Sequence, residues 1–147
     1  MKKYKPIICV DFDGVLHSYK SGWKGATDIP DDPVPGAIEW LLDDLLAGVY
    51  PENISHFCPD PEVEVCVYSS RSKALGGIKA MKKWLNKHGV DQGYFTDGLI
   101  TFPTKKPAAF LTIDDRCFCF RGEFPSKDEI LKFKPWNKTK RYLNNLE

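Results

Sequence analysis

The chain has 147 residues, of which 42% are hydrophobic and 28% charged. That balance argues against extended disorder and for one domain over residues 1–147 with a real buried core. Its formal net charge of +1 excludes a global field that would draw the protein to nucleic acid or an anionic membrane.

The N-terminal apolar run, Pro6 to Val10, is too short for a signal-peptide core, and no run approaches membrane-spanning length. The five cysteines form no CxxC pair and four of them sit in apolar runs that read as strands, as reduced small hydrophobes, so a cytoplasmic protein away from membranes is expected.

In chain order, Ile7 to Val10 is a continuous apolar run rich in β-branched residues and predicts a fully buried strand. It stops at Asp11-Phe12-Asp13-Gly14. Residues 17–35 are rich in Gly, Pro, Ser and Asp and predict a loop carrying His17, Tyr19 and Trp23. After Pro35-Gly36, Ile38, Leu41, Leu42, Leu45 and Leu46 recur at helical spacing, and Gly48 ends that helix. A second loop spans 51–62. Val63 to Tyr68 predicts a second buried strand, ending in Ser69-Ser70-Arg71. A helix over 77–88 buries Ile78, Met81, Trp84 and Leu85 and solvates Lys79, Lys82, Lys83 and Lys87. A short apolar strand is expected at 99–102 and another buried strand at 110–113, ending in Asp114-Asp115, with an edge strand at 117–120. Ser126 caps a last helix, with Asp128 and Glu129 in its first turn. The C-terminal cluster Lys132, Lys134, Lys138, Lys140 and Arg141 reads as a solvated basic face. Strands alternating with helices predict an α/β fold, a mostly parallel central sheet covered by helices on both faces.

Three predicted strands therefore end in polar or charged residues. In an open α/β sheet, ligands bind at the carboxyl ends of the strands, so Asp11, Asp13, Ser69, Ser70, Arg71, Asp114 and Asp115 are expected at one edge. Four carboxylates gathered there repel unless a cation neutralises them. A carboxylate set without His or Cys ligands suits Mg²⁺. Beside such an ion a carboxylate can attack phosphorus and form an aspartyl-phosphate. Asp11, first after its strand, is the natural nucleophile, and Asp13 the acid that protonates the leaving group and later activates water. Gly14 lets the backbone turn closely around the site. Ser69 and a lysine ahead of the last strand would hold the phosphoryl oxygens. Lys106, fixed by Pro107, is preferred over Lys105. Arg71 suits a further anionic group, and His17 could reach substrate from its loop or be a hydrogen-bonded loop residue.

In this order the motifs resemble those of the haloacid dehalogenase superfamily: Asp11-Phe-Asp13-Gly14-Val15, the strand ending at Ser69, Lys106 in Lys-Pro, and Thr112-Ile-Asp114-Asp115. The resemblance spans roughly residues 5–120. It implies a Rossmann-like three-layer domain, and Mg²⁺ held by Asp11, the Asp13 carbonyl and one of Asp114 or Asp115. The second aspartate, at Asp13, marks phosphatases and phosphotransferases within the superfamily. The segments 17–35 and 89–105 are too short for a folded cap, which implies a capless member. Ser69-Ser70-Arg71 also resembles the Ser-Gly-Arg of polynucleotide 3′-phosphatases, with Ser70 in place of the glycine.

A phosphorylated small molecule or nucleotide is thus the expected substrate. Two rivals stand beside that reading: a polynucleotide end-processing phosphatase using Arg71 and the basic C-terminal segment, and a phosphate-binding regulatory protein without turnover.

Overall fold

The structure is a computed structural model and describes residues 4–48 and 61–138. Most of the second loop with His56 and Cys58, and the basic residues Lys140 and Arg141, lie outside the described residues.

Four strands form one sheet: β1 (Ile7–Val10), β2 (Glu64–Val67), β3 (Ile100–Thr101) and β4 (Leu111–Ile113). Their order is β3-β2-β1-β4 and every neighbouring pair is parallel. The fold is α/β. The chain steps outward from β1 to β2 to β3, then returns to the other flank of β1. That reversal puts a topological switch point between β1 and β4, where such sheets open a crevice at their carboxyl ends.

β1 is apolar throughout and β2 is apolar after the exposed Glu64 that opens it, because both are interior strands. Cys9, Val10, Val65 and Val67 are buried in the ladder. The core continues through Phe12, Leu16, Leu41, Leu46, Met81, Leu85 and Ile100. Among the described residues, no helix is long and apolar enough to cross a membrane.

The helix after Gly36 departs from regular α geometry. Helix α1 covers only Ala37–Glu39 and continues as a π-helical turn over Trp40–Leu45. The wide turn bonds Leu46 N–H to the Leu41 carbonyl at 3.2 Å. A five-residue repeat brings Leu41 and Leu46 to one face, and both are fully buried; Asp43 and Asp44 stay exposed.

Helix α2 (Gly77–Lys87) buries Met81, Trp84 and Leu85 as its spacing predicts. A short helix α3 (Gly93–Thr96) follows, which periodicity could not reveal in four residues. Helix α4 (Lys127–Leu131) starts with a capping box: the Ser126 hydroxyl accepts from Glu129 N–H, and Glu129 accepts from Ser126 N–H.

The edge strand expected at 117–120 does not form, so β4 is itself the edge of the sheet, and the 110–113 segment expected to be buried leaves Phe110 and Leu111 exposed. The alternation of Cys and Phe at 117–120 mimics a half-buried strand. However, the chain turns immediately after β4, where Arg116 N–H bonds the Asp114 carboxylate at 2.8 Å. Residues 117–120 leave the sheet and stand exposed.

Candidate active site

Register brings the site together. Val10 of β1 pairs with Val67 on one side and Ile113 on the other. The ladder runs one step further: Asp11 N–H bonds the Ile113 carbonyl at 2.9 Å, and Tyr68 N–H bonds the Val10 carbonyl at 3.1 Å. Asp11 and Asp114 therefore leave adjacent strands at the same level, with Ser69 one residue beyond that level on β2. A cavity of about 250 Å³ opens there, lined by Cys9, Asp11, Tyr68, Ser69, Ser70, Lys106, Thr112, Asp114 and Arg116. Lys106 lines it and Lys105 does not.

Asp11, Asp114 and Asp115 each offer an oxygen within 4.8 Å of the others. Burial, followed by the Asp114 charge, pushes the Asp11 carboxyl up to about 8, against a bond from Phe12 N–H that favours the ionised form. Burial likewise raises Asp115. Three carboxyl groups crowded in this way are unfavourable as anions unless a cation sits among them.

The surroundings of Asp115 fit that cation. Its side chain is only 2% exposed, and its Oδ1 is buried without a hydrogen-bond partner. A free buried carboxylate oxygen is costly, and a hard cation beside Asp11 and Asp114 would satisfy it. The other oxygen lies over Gly14. A Cβ there would come within 2.2 Å of Asp115 Oδ2, and Gly14 has φ +85°. Only glycine leaves room for the Asp115 carboxylate against the loop after β1.

Three sequence-predicted residues have different surroundings from those expected. Arg71 is completely buried and does not line the cavity. Its Nε donates to Asp13 Oδ2 at 2.9 Å, its Nη2 to Asp13 Oδ1 at 3.1 Å, and its Nη1 to the carbonyls of Gly25, Ala26 and Asp28. The Trp23 ring covers the guanidinium at 4.8 Å. Arg71 thus fastens the 17–35 loop onto Asp13. The long spacing between these partners hid this from the sequence.

His17 is also completely buried. Its Nε2 accepts from Asp31 N–H at 3.2 Å, so its Nδ1 carries the hydrogen that faces Asp13 Oδ1 at 2.8 Å. The hydrogen-bonded loop reading of His17 holds in place of substrate contact. The Asp13 carboxylate is consequently engaged by Arg71 and His17 and stands outside the acidic cluster of Asp11, Asp114 and Asp115.

Ser69 lies in the cavity wall and organises its own turn. Its Oγ accepts from Arg71 N–H at 3.2 Å, while its N–H donates to Ser72 Oγ at 2.9 Å. Sequence reasoning missed Trp136 and Asn137. Trp136 Nε1 donates to the Gly14 carbonyl at 2.8 Å and Asn137 Nδ2 to the Ser18 carbonyl at 3.2 Å, so the C-terminal segment braces the loop after β1. Nothing in local sequence signals a contact across so many residues.

No family model, no curated protein and no solved structure matches this chain.

Proposed function

We propose that the protein is a Mg²⁺-dependent phosphohydrolase of the haloacid dehalogenase type, capless and Rossmann-like, acting on phosphate monoesters through Asp11. The observation that carries this reading is the meeting of Asp11 with Asp114 and Asp115 at the switch point between β1 and β4, beside a cavity lined by Asp11, Asp114, Ser69 and Lys106. Asp11, Asp114 and Asp115 would hold the ion, which supplies charge neutralisation for the carboxylates and the phosphoryl group.

In this reading an Asp11 oxygen attacks phosphorus and the bond to the ester oxygen breaks, leaving an aspartyl-phosphate. The departing oxygen takes a proton. Water then attacks phosphorus, the bond to Asp11 breaks, and inorganic phosphate leaves. Lys106 and the Ser69 hydroxyl neutralise and orient the phosphoryl oxygens. Asp13 is the proton carrier, a role that requires it to exchange a contact with Arg71 or His17 for the leaving group.

The engagement of Asp13 favours one second reading, a phosphate-binding protein without turnover, in which Asp13 serves only to anchor the loop. The polynucleotide reading draws no support from Arg71, which is buried away from the cavity.

The test is phosphate release from p-nitrophenyl phosphate, mononucleotides, sugar phosphates and a 3′-phosphorylated oligonucleotide, with Mg²⁺ and with a chelator. Release that needs Mg²⁺ supports the enzyme. Silence across the whole panel by folded, Mg²⁺-binding protein supports the binding protein.

A further inference from the structure

A second cavity, about 360 Å³, adjoins the first. Arg116, Cys117, Phe118, Pro125, Glu129, Ile130, Lys132 and Phe133 line it. Arg116 is a wall of both cavities, because it directly follows the acidic pair after β4. Its side chain is 60% exposed and its Nε stays 3.9 Å from Asp115 Oδ2, a loose pairing that leaves donors for a ligand.

The second cavity is chemically unlike the first. Phe118, Phe133, Ile130 and Pro125 provide an apolar bed, with Arg116 and Lys132 as cations. Phe118 is 63% exposed and Phe133 is 50% exposed, so neither ring is used by the core. Helix α4 buries no residue of its own, yet its capping box holds it in a defined turn. A concave bed of this size matches a small organic group, and flat rings stack favourably on Phe and on guanidinium faces.

Resting on the phosphohydrolase reading, we propose that this cavity receives the alcohol part of the substrate, and that the substrate is a phosphate monoester carrying a flat aromatic ring. The phosphate would sit by Asp11, Ser69 and Lys106, and Arg116 would span the junction. The cation between the two cavities complements the phosphate, while the apolar bed has no use for a sugar or a short polyol. That difference favours an aromatic ester over an aliphatic one.

Phenylphosphonate and methylphosphonate test this without turnover, because their carbon–phosphorus bond survives the reaction. With Mg²⁺ present, calorimetry on the full chain should find phenylphosphonate bound about tenfold more tightly. Phe118→Ala and Phe133→Ala should each reduce that ratio severalfold. Both rings are exposed, and circular dichroism checks that each variant folds. Equal affinities, or a ratio untouched by both substitutions, overturns the proposal. So does a phenyl preference that disappears when the chain self-associates, since a second copy would then be the occupant. These outcomes separate from the reaction itself. A phenyl preference without phosphate release from any ester retains the aromatic subsite and rejects the hydrolase, and Mg²⁺-dependent release without the preference does the reverse.

Discussion

At Gly14 two demands coincide, a left-handed φ of +85° and an α-carbon pressed against the Asp115 carboxylate. Gly14→Ala should therefore cost about 1–3 kcal/mol of stability and also displace Asp115. The expected result is a smaller Mg²⁺-induced rise in melting temperature than wild type shows. An unchanged rise would detach Gly14 and Asp115 from the ion site. The position of Gly14 was legible in the Asp-Phe-Asp-Gly run as a close turn, but its partner was not. The contact joins residues a hundred positions apart, and only the β1–β4 pairing brings them together. Arg71 shows the opposite failure. Guanidinium chemistry suggests an anion ligand, and here the anion is the protein's own Asp13. Residue type indicated the kind of bond without saying whether the partner was internal.

Among the elements, interior strands were the most legible, because β1 reads as an unbroken apolar run and β2 as Val65-Cys66-Val67 after the exposed Glu64. Strand ends were legible too, since the apolar runs give way to polar residues at Asp11 and Ser69. Periodicity failed where tertiary packing chose another geometry. Leu41, Leu42, Leu45 and Leu46 fit an α-helix, yet the wide turn buries Leu41 with Leu46. The alternation at 117–120 lies beyond a turn that carries the chain away from β4. Helix α2 is fixed by a close contact with the turn just before it in the chain. A Cβ on Gly77 would meet the Arg71 carbonyl at 1.9 Å, so helix and Ser69–Arg71 turn approach as closely as backbone allows. Gly77→Ala should force them apart, costing about 1–3 kcal/mol in denaturant unfolding and weakening phosphate binding through Ser69. A neutral substitution would show that the turn moves freely.

For the whole molecule, the crowded carboxylates make metal-free stability depend on pH. Asp11 is raised to about 8 in the folded chain, whereas in the unfolded chain it titrates near the ordinary carboxylate value of about 4. Between those values the native state holds a proton that the unfolded state has released, so stability falls as pH rises. Without metal, wild type should lose stability relative to Asp11→Asn between pH 5 and pH 8, by up to about 1.4 kcal/mol per pH unit and with a falling Tm. Saturating Mg²⁺ should remove that loss by neutralising the carboxylates. Parallel pH curves for the two proteins, or no effect of Mg²⁺, would contradict a shared cation site.

A covalent bond between Asp11 and phosphorus would be caught by acid-quenched turnover followed by mass spectrometry. Wild type, quenched during hydrolysis with Mg²⁺ present, should carry a phosphoryl group on the peptide containing Asp11. Asp11→Asn should fold, carry none, and release phosphate at least about a thousandfold more slowly. Phosphate release that continues at the wild-type rate in Asp11→Asn, or a phosphoryl group trapped on another residue, would contradict the account.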